Sequence, residues 1–152
     1  MSDISTEKQT ITDESHHVPV FGYELLREVL IPELLGKETS EILYWAGKRI
    51  ARKYPLQSME EIFSFFQSAG WGTLVIKKEA KNELDLELTS RIITERLKTN
   101  NECSFQLEAG FLAQQMEQMN GVISEAYEHP RKRGGKIMFT IKWDKKDVTT
   151  DK

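Results

Sequence analysis

The chain has 152 residues, of which 39% are hydrophobic and 30% charged, and its net charge is −3. This make-up suits one globular domain with one core, and it excludes a low-complexity chain and argues against a general nucleic-acid binder. The single cysteine, Cys103, excludes an intrachain disulfide, and no apolar run approaches the ~20 residues of a spanning helix.

Residues 1–18 are polar and acidic, with no periodic apolar residues, so they read as a mobile tail and not as a secretory signal. The expected address is therefore the cytoplasm. The domain is expected over 19–147, with a flexible end from 148 to 152. A first helix starts at Phe21, where Leu25, Leu26, Val29 and Leu30 recur at helical spacing. Pro32 is expected to bend or end it, and Gly36 to stop it. A second helix runs from about Glu38 to Tyr54, with Leu43, Ala46, Gly47, Ile50 and Tyr54 in one stripe. A third begins at the cap Ser58, with Glu61 at capping-box spacing, and ends at Gly70.

The period then changes to two. Leu74 and Ile76 lead into a turn at Lys81-Asn82, after which Leu84, Leu86 and Leu88 alternate with Glu83, Asp85 and Glu87. This is a hairpin with one wet face. Ser90 to Thr99 is a connector with helical character. The clearest helix spans about Cys103 to Asn120, with a stripe of Phe105, Ala109, Leu112, Met116 and Met119, and it stops at Gly121. A second hairpin joins Val122–His129 to Lys136–Trp143. The order ααα-ββ-α-ββ predicts an α+β fold, a four-stranded antiparallel sheet covered by helices.

Specific strings carry a resemblance. Gly70-Trp71-Gly72 joins a helix to the first strand, and Cys103-Ser104-Phe105-Gln106-Leu107-Glu108-Ala109-Gly110-Phe111-Leu112-Ala113 lies between the hairpins. Together they resemble the 4-vinyl-reductase-like small-molecule-binding domains and the TRAPP vesicle-tethering subunits. Tyr44-Trp45-Ala46-Gly47-Lys48 and Gln106-Leu107-Glu108-Ala109-Gly110-Phe111 resemble the YslB family of uncharacterised bacterial proteins, over Tyr23 to Lys146. The resemblance implies a TRAPP / NO-signalling-like ligand-binding fold and no established activity. The relatives' cysteines after the long helix have no match in Val122–Pro130.

The candidate sites are few. Cys103, His16, His17 and His129 are too scattered for a structural metal site, and nothing fixes a Cys103–His129 pair for nucleophilic catalysis. Gly134-Gly135 is a turn doublet and not a phosphate cradle. The basic turn Arg131-Lys132-Arg133 reads as a solvated tip, or as an electrostatic patch for phosphate, nucleic acid or acidic lipid, and the lack of stacking aromatics favours the tip. Glu108 sits at the margin of an apolar stripe, where it is held by backbone amides or an indole N–H, or anchors a ligand in an apolar pocket. Trp71 pins helix to strand or walls the same pocket. Trp45 lies opposite its helix's main stripe, near Arg49 and Arg52, which fits a second burial surface or a subunit interface; the resemblance to TRAPP folds, which dimerise through their first helices, favours the interface.

Two readings follow. One is a non-enzymatic sensor or adaptor that binds an apolar small molecule through Trp71, Glu108, Phe111 and Met116. The other is a homodimeric interaction module using Trp45, Arg49 and Arg52. Neither calls for a metal, a cofactor, a nucleic acid or a membrane span.

Overall fold

The computed structural model describes residues 17–99, 103–130 and 134–148. Residues 1–16 of the expected tail 1–18, residues 149–152 of the expected end 148–152, and the basic turn Arg131–Arg133 lie outside the described residues.

Alternation builds the sheet. Strands β1 (Thr73–Ala80), β2 (Glu83–Thr89), β3 (Val122–Glu128) and β4 (Lys136–Val148) form one antiparallel sheet in the order β1-β2-β4-β3. The two hairpins meet where β2 pairs with β4, setting Leu84 opposite Ile141, Leu86 opposite Phe139 and Leu88 opposite Ile137. All six are buried, which makes this double row the floor of the core. β4 runs past the expected end at Trp143, because a register shift lets Val122 pair with Val148. On the open face, the Thr140 hydroxyl donates to Asp85 Oδ1 at 2.7 Å, and His129 Nε2 lies 2.7 Å from the same hydroxyl. His129 is thus engaged with Thr140.

The helices stack above. Helix α1 covers 20–35 as three continuous pieces: Val20–Glu24, a π-helical stretch Leu25–Leu30, and Ile31–Leu35. Pro32 does not end it. The helix widens just before Pro32, where the ring must clear a carbonyl of the preceding turn. Gly36 does end the α-helical run, at φ 62°. Helix α2 is Thr39–Lys53 and α3 is Met59–Ser68. Ser58 caps α3 by accepting from Glu61 N at 3.2 Å. The Glu61 side chain bonds Gln57 N at 2.8 Å, one residue earlier than the capping box requires. Helix α4 is Arg91–Thr99, capped by Ser90, whose hydroxyl accepts from Ile93 N at 3.0 Å.

Helix α5 (Gln106–Asn120) is the centre. Its residues from Glu108 to Met116 are all buried, so the expected single stripe is only part of its packed surface. It lies between the sheet, chiefly β3, and α2. Gly121 stops it in the left-handed region, as its sequence position requires.

Candidate functional site

Three features meet around α5. The first is an aromatic cluster. Gly70 (φ 75°) and Gly72 (φ 132°) turn the chain so that Trp71 points into the core. Its ring meets Phe66 at 5.0 Å, Phe111 at 5.3 Å and Phe65 at 5.6 Å, all near edge-on, while Phe65 stacks on Phe111 at 4.5 Å. These are the favoured geometries for ring pairs. Trp71 and Phe111 therefore pack directly against each other. Outside this cluster, Leu56, Glu60, Glu61, Ser64, Phe65 and Ser68 line an open groove of about 410 Å³ along α3.

The second feature is a buried polar cluster at the start of α5. Glu108, in the first turn of α5, is 1% exposed and takes a charge-assisted bond from Arg27 Nη2 at 2.6 Å. Its partner is thus a guanidinium of α1, not the expected backbone amide or indole. Arg27 is itself 5% exposed and donates to Tyr23 Oη at 2.8 Å. Beside it, Arg96 of α4 pairs with Glu28, donates to the Ser104 carbonyl at 2.9 Å, and stacks over the Phe105 ring at 4.2 Å. Burial pulls the Arg27 pKa down, but Glu108, Tyr23 and Glu28 together raise it above its ordinary value, so the group stays charged. Burial raises the Tyr23 phenol above its usual value, against the pull of Arg27. Arg27 Nε is buried with no hydrogen-bond partner among the described residues.

The third feature was missed by the sequence reading. The stripe Leu25, Leu26, Val29 and Leu30, which recurs at helical spacing, faces water. With Phe21 and Leu34, these side chains are 44–71% exposed, and of all the residues in α1 only Arg27 is buried. α1 lies polar side down and apolar side up. The available sequence signal is the pair Tyr23 and Arg27, four apart and so neighbours on one side of the helix. On α2, Trp45 is 57% exposed, with the Arg49 guanidinium 5.2 Å from its ring centre. Arg52 is also exposed but turns toward Gln114 Oε1, 3.5 Å away.

The four residues expected to line a pocket are not gathered at one spot. Trp71 and Phe111 share the aromatic cluster, Glu108 belongs to the polar cluster, and Met116 is buried farther along α5. Among the described residues, no group of His, Cys, Asp and Glu is placed to hold a metal ion, and no helix is long and apolar enough to cross a membrane.

Residues 20–142 match the family model described as a protein of unknown function (DUF2507). The chain belongs to this family. A similar protein is the uncharacterised protein YslB of Bacillus subtilis (strain 168), 51% identical over 127 residues, which are 84% of this chain and 86% of that one. In fold, the DUF2507 chain is similar to a vinyl-4-reductase family protein from Methanocaldococcus jannaschii, with a TM-score of 0.64, 21% identity and 94% of each chain covered. A weaker likeness, TM-score 0.44 and 15% identity over 70% of this chain and 64% of the other, is to an Fe(II) unliganded H-NOX protein mutant from K. algicida.

Proposed function

We propose that the domain works by association, as a homodimeric interaction module whose contact surface is the outward face of α1, with no catalytic step of its own. The observation that carries this is the row Phe21, Leu25, Leu26, Val29, Leu30 and Leu34, all open to water on one helix. Together with Val18 and Val20 they leave on the order of 700 Å² of apolar side chain exposed, near the ~800 Å² that each partner gives a standard interface. Charge favours a second copy as the occupant. α1 carries Glu24 and Glu33 beside its apolar row, and the second half of α2 is basic, with Lys48, Arg49, Arg52 and Lys53. A two-fold pairing brings one copy's acidic rim to the other's basic helix. The acidic rim disfavours an anionic membrane surface as the occupant. Trp45 with Arg49 is a fitting rim anchor. Sedimentation of the wild type and Trp45→Ala tests the proposal: a dimer weakened by the substitution supports it, and a wild type that stays monomeric at tens of micromolar ends it.

A second reading, binding of an apolar small molecule, is favoured by the groove along α3, whose wall Phe65 is also part of the aromatic cluster. Native mass spectrometry of the freshly purified protein tests it: a retained small-molecule mass supports the reading, and a bare chain counts against it.

A further inference from the structure

An amphipathic surface helix ordinarily buries its apolar stripe. α1 does the opposite, and its polar face has unusual contacts. The Arg27–Glu108 pair joins residues 81 apart in sequence, at 2.6 Å, with both side chains almost wholly buried (5% and 1% exposed). A buried ion pair adds little net stability, because desolvation nearly cancels the attraction, but a buried charge left alone is heavily penalised. The Glu108 carboxylate is held inside by α5 whatever α1 does. If α1 rolled about its axis to bury Leu26, Val29 and Leu30, Arg27 would swing out to water and Glu108 would be stranded. The second pair does not forbid the roll in the same way. Glu28 is 14% exposed, and Arg96, although only 2% exposed, keeps the Ser104 carbonyl and the Phe105 ring after Glu28 leaves, so its loss is partly offset while Glu108 would keep no charged partner.

We infer that Arg27 and Glu108 form a positioning pair that keeps α1 from burying its own apolar face and so holds that face available to a partner. This rests on the homodimer reading above. The π-helical stretch Leu25–Leu30 contains both Arg27 and its neighbour Glu28, and within it the two successive side chains reach separate partners on the body.

The test is the double variant Arg27→Met/Glu108→Leu, which removes both charges and strands neither. A cysteine reporter, Leu26→Cys, is placed in the wild-type and double-variant backgrounds, and its modification by a thiol reagent is followed at a dilution where both are monomeric. Cys103 is buried and stays in both. The inference expects the reporter to react about tenfold or more slowly in the double variant, with an undiminished urea midpoint, and the dimer to weaken about tenfold or more by sedimentation. A merely structural pair would instead lower the midpoint and speed the labelling. Equal or faster labelling overturns the inference whatever the oligomeric state. If the wild type is monomeric, the homodimer reading falls while the labelling still decides the role of the pair. Should the double variant not fold, Glu108→Gln, which removes only the charge, is expected to slow the reporter in the same direction, and an unchanged rate there overturns the inference equally.

Discussion

Gly47 of α2 and Gly110 of α5 mark a point where two helix backbones touch. A Cβ on Gly47 would overlap the Leu107 carbonyl and lie 2.8 Å from Phe111 N, and one on Gly110 would overlap the Tyr44 carbonyl. Helix propensity alone says that alanine at either position gains about 1 kcal/mol. The obstacle here is backbone and not the end of a flexible side chain, so relief requires the helices to part. Gly47→Ala and Gly110→Ala should each destabilise by about 3 kcal/mol, near the upper end for overpacking. Urea unfolding checks this, and a raised midpoint for either variant would mean that the crossing is looser than described.

Much of the fold was legible in the sequence because it rests on local rules. The alternation of Leu84, Leu86 and Leu88, the Ser58 cap and the left-handed Gly70 and Gly121 each depend on neighbours in the chain. The surroundings of α1 are not legible in the same way, because periodicity tells which residues share a face and not what that face meets. Leu25, Leu26, Val29 and Leu30 do recur together, but the body beneath α1 offers Glu108, Arg96 and the Ser104 carbonyl, none of which is near in sequence. The same distance hid the partner of Glu108, although its place at the edge of an apolar stripe correctly marked it as a carboxylate in need of one. Trp45 was legible as an outlier from its own helix, and it is open to water.

Gln115 holds the end of α2 in place. Its side chain is fully buried, donates to the Tyr54 carbonyl at 2.8 Å and accepts from Leu56 N at 3.1 Å. Both are backbone groups at the break between α2 and α3, where Pro55 has no amide to offer. Gln115→Leu keeps the volume and removes a hydrogen bond from each, so a loss of about 2–3 kcal/mol is expected by urea unfolding. A neutral result would mean that water reaches these two groups.

Stability should fall at alkaline pH in a way that depends on Tyr23. Burial raises its phenol above the ordinary value of 10.0, so between that value and the folded-state one the native state holds a proton that the unfolded chain has released. The contribution is full below about pH 10 and is lost as pH rises through the folded value. Tyr44 adds to the same slope, raised chiefly by burial and held back by the bond from Ala126 N at 3.1 Å. Tyr23→Phe should flatten part of the decline above pH 10 while lowering stability by about 1–2 kcal/mol at neutral pH, because Arg27 Nη1 loses its acceptor. Urea midpoints across pH, beside a phenolate absorbance titration, read both effects; an unchanged alkaline slope in Tyr23→Phe would place the phenol in water.

Val29 separates folding from association. It is 57% exposed within the π-helical stretch of α1, so aspartate there removes no core contact. Aspartate and valine also have similar helix propensities, and a change in stability within about 0.5 kcal/mol is expected. At a two-fold interface the substitution acts twice: each copy would carry a carboxylate into apolar surroundings, and the two like charges would approach each other. Val29→Asp should therefore weaken the dimer about a hundredfold, equivalent to about 2.7 kcal/mol, while the dilute urea midpoint holds. Sedimentation over a concentration series reads the first quantity and urea unfolding the second. If the dimer survives Val29→Asp intact, α1 is not the contact, and the row from Phe21 to Leu34 faces something other than its own copy.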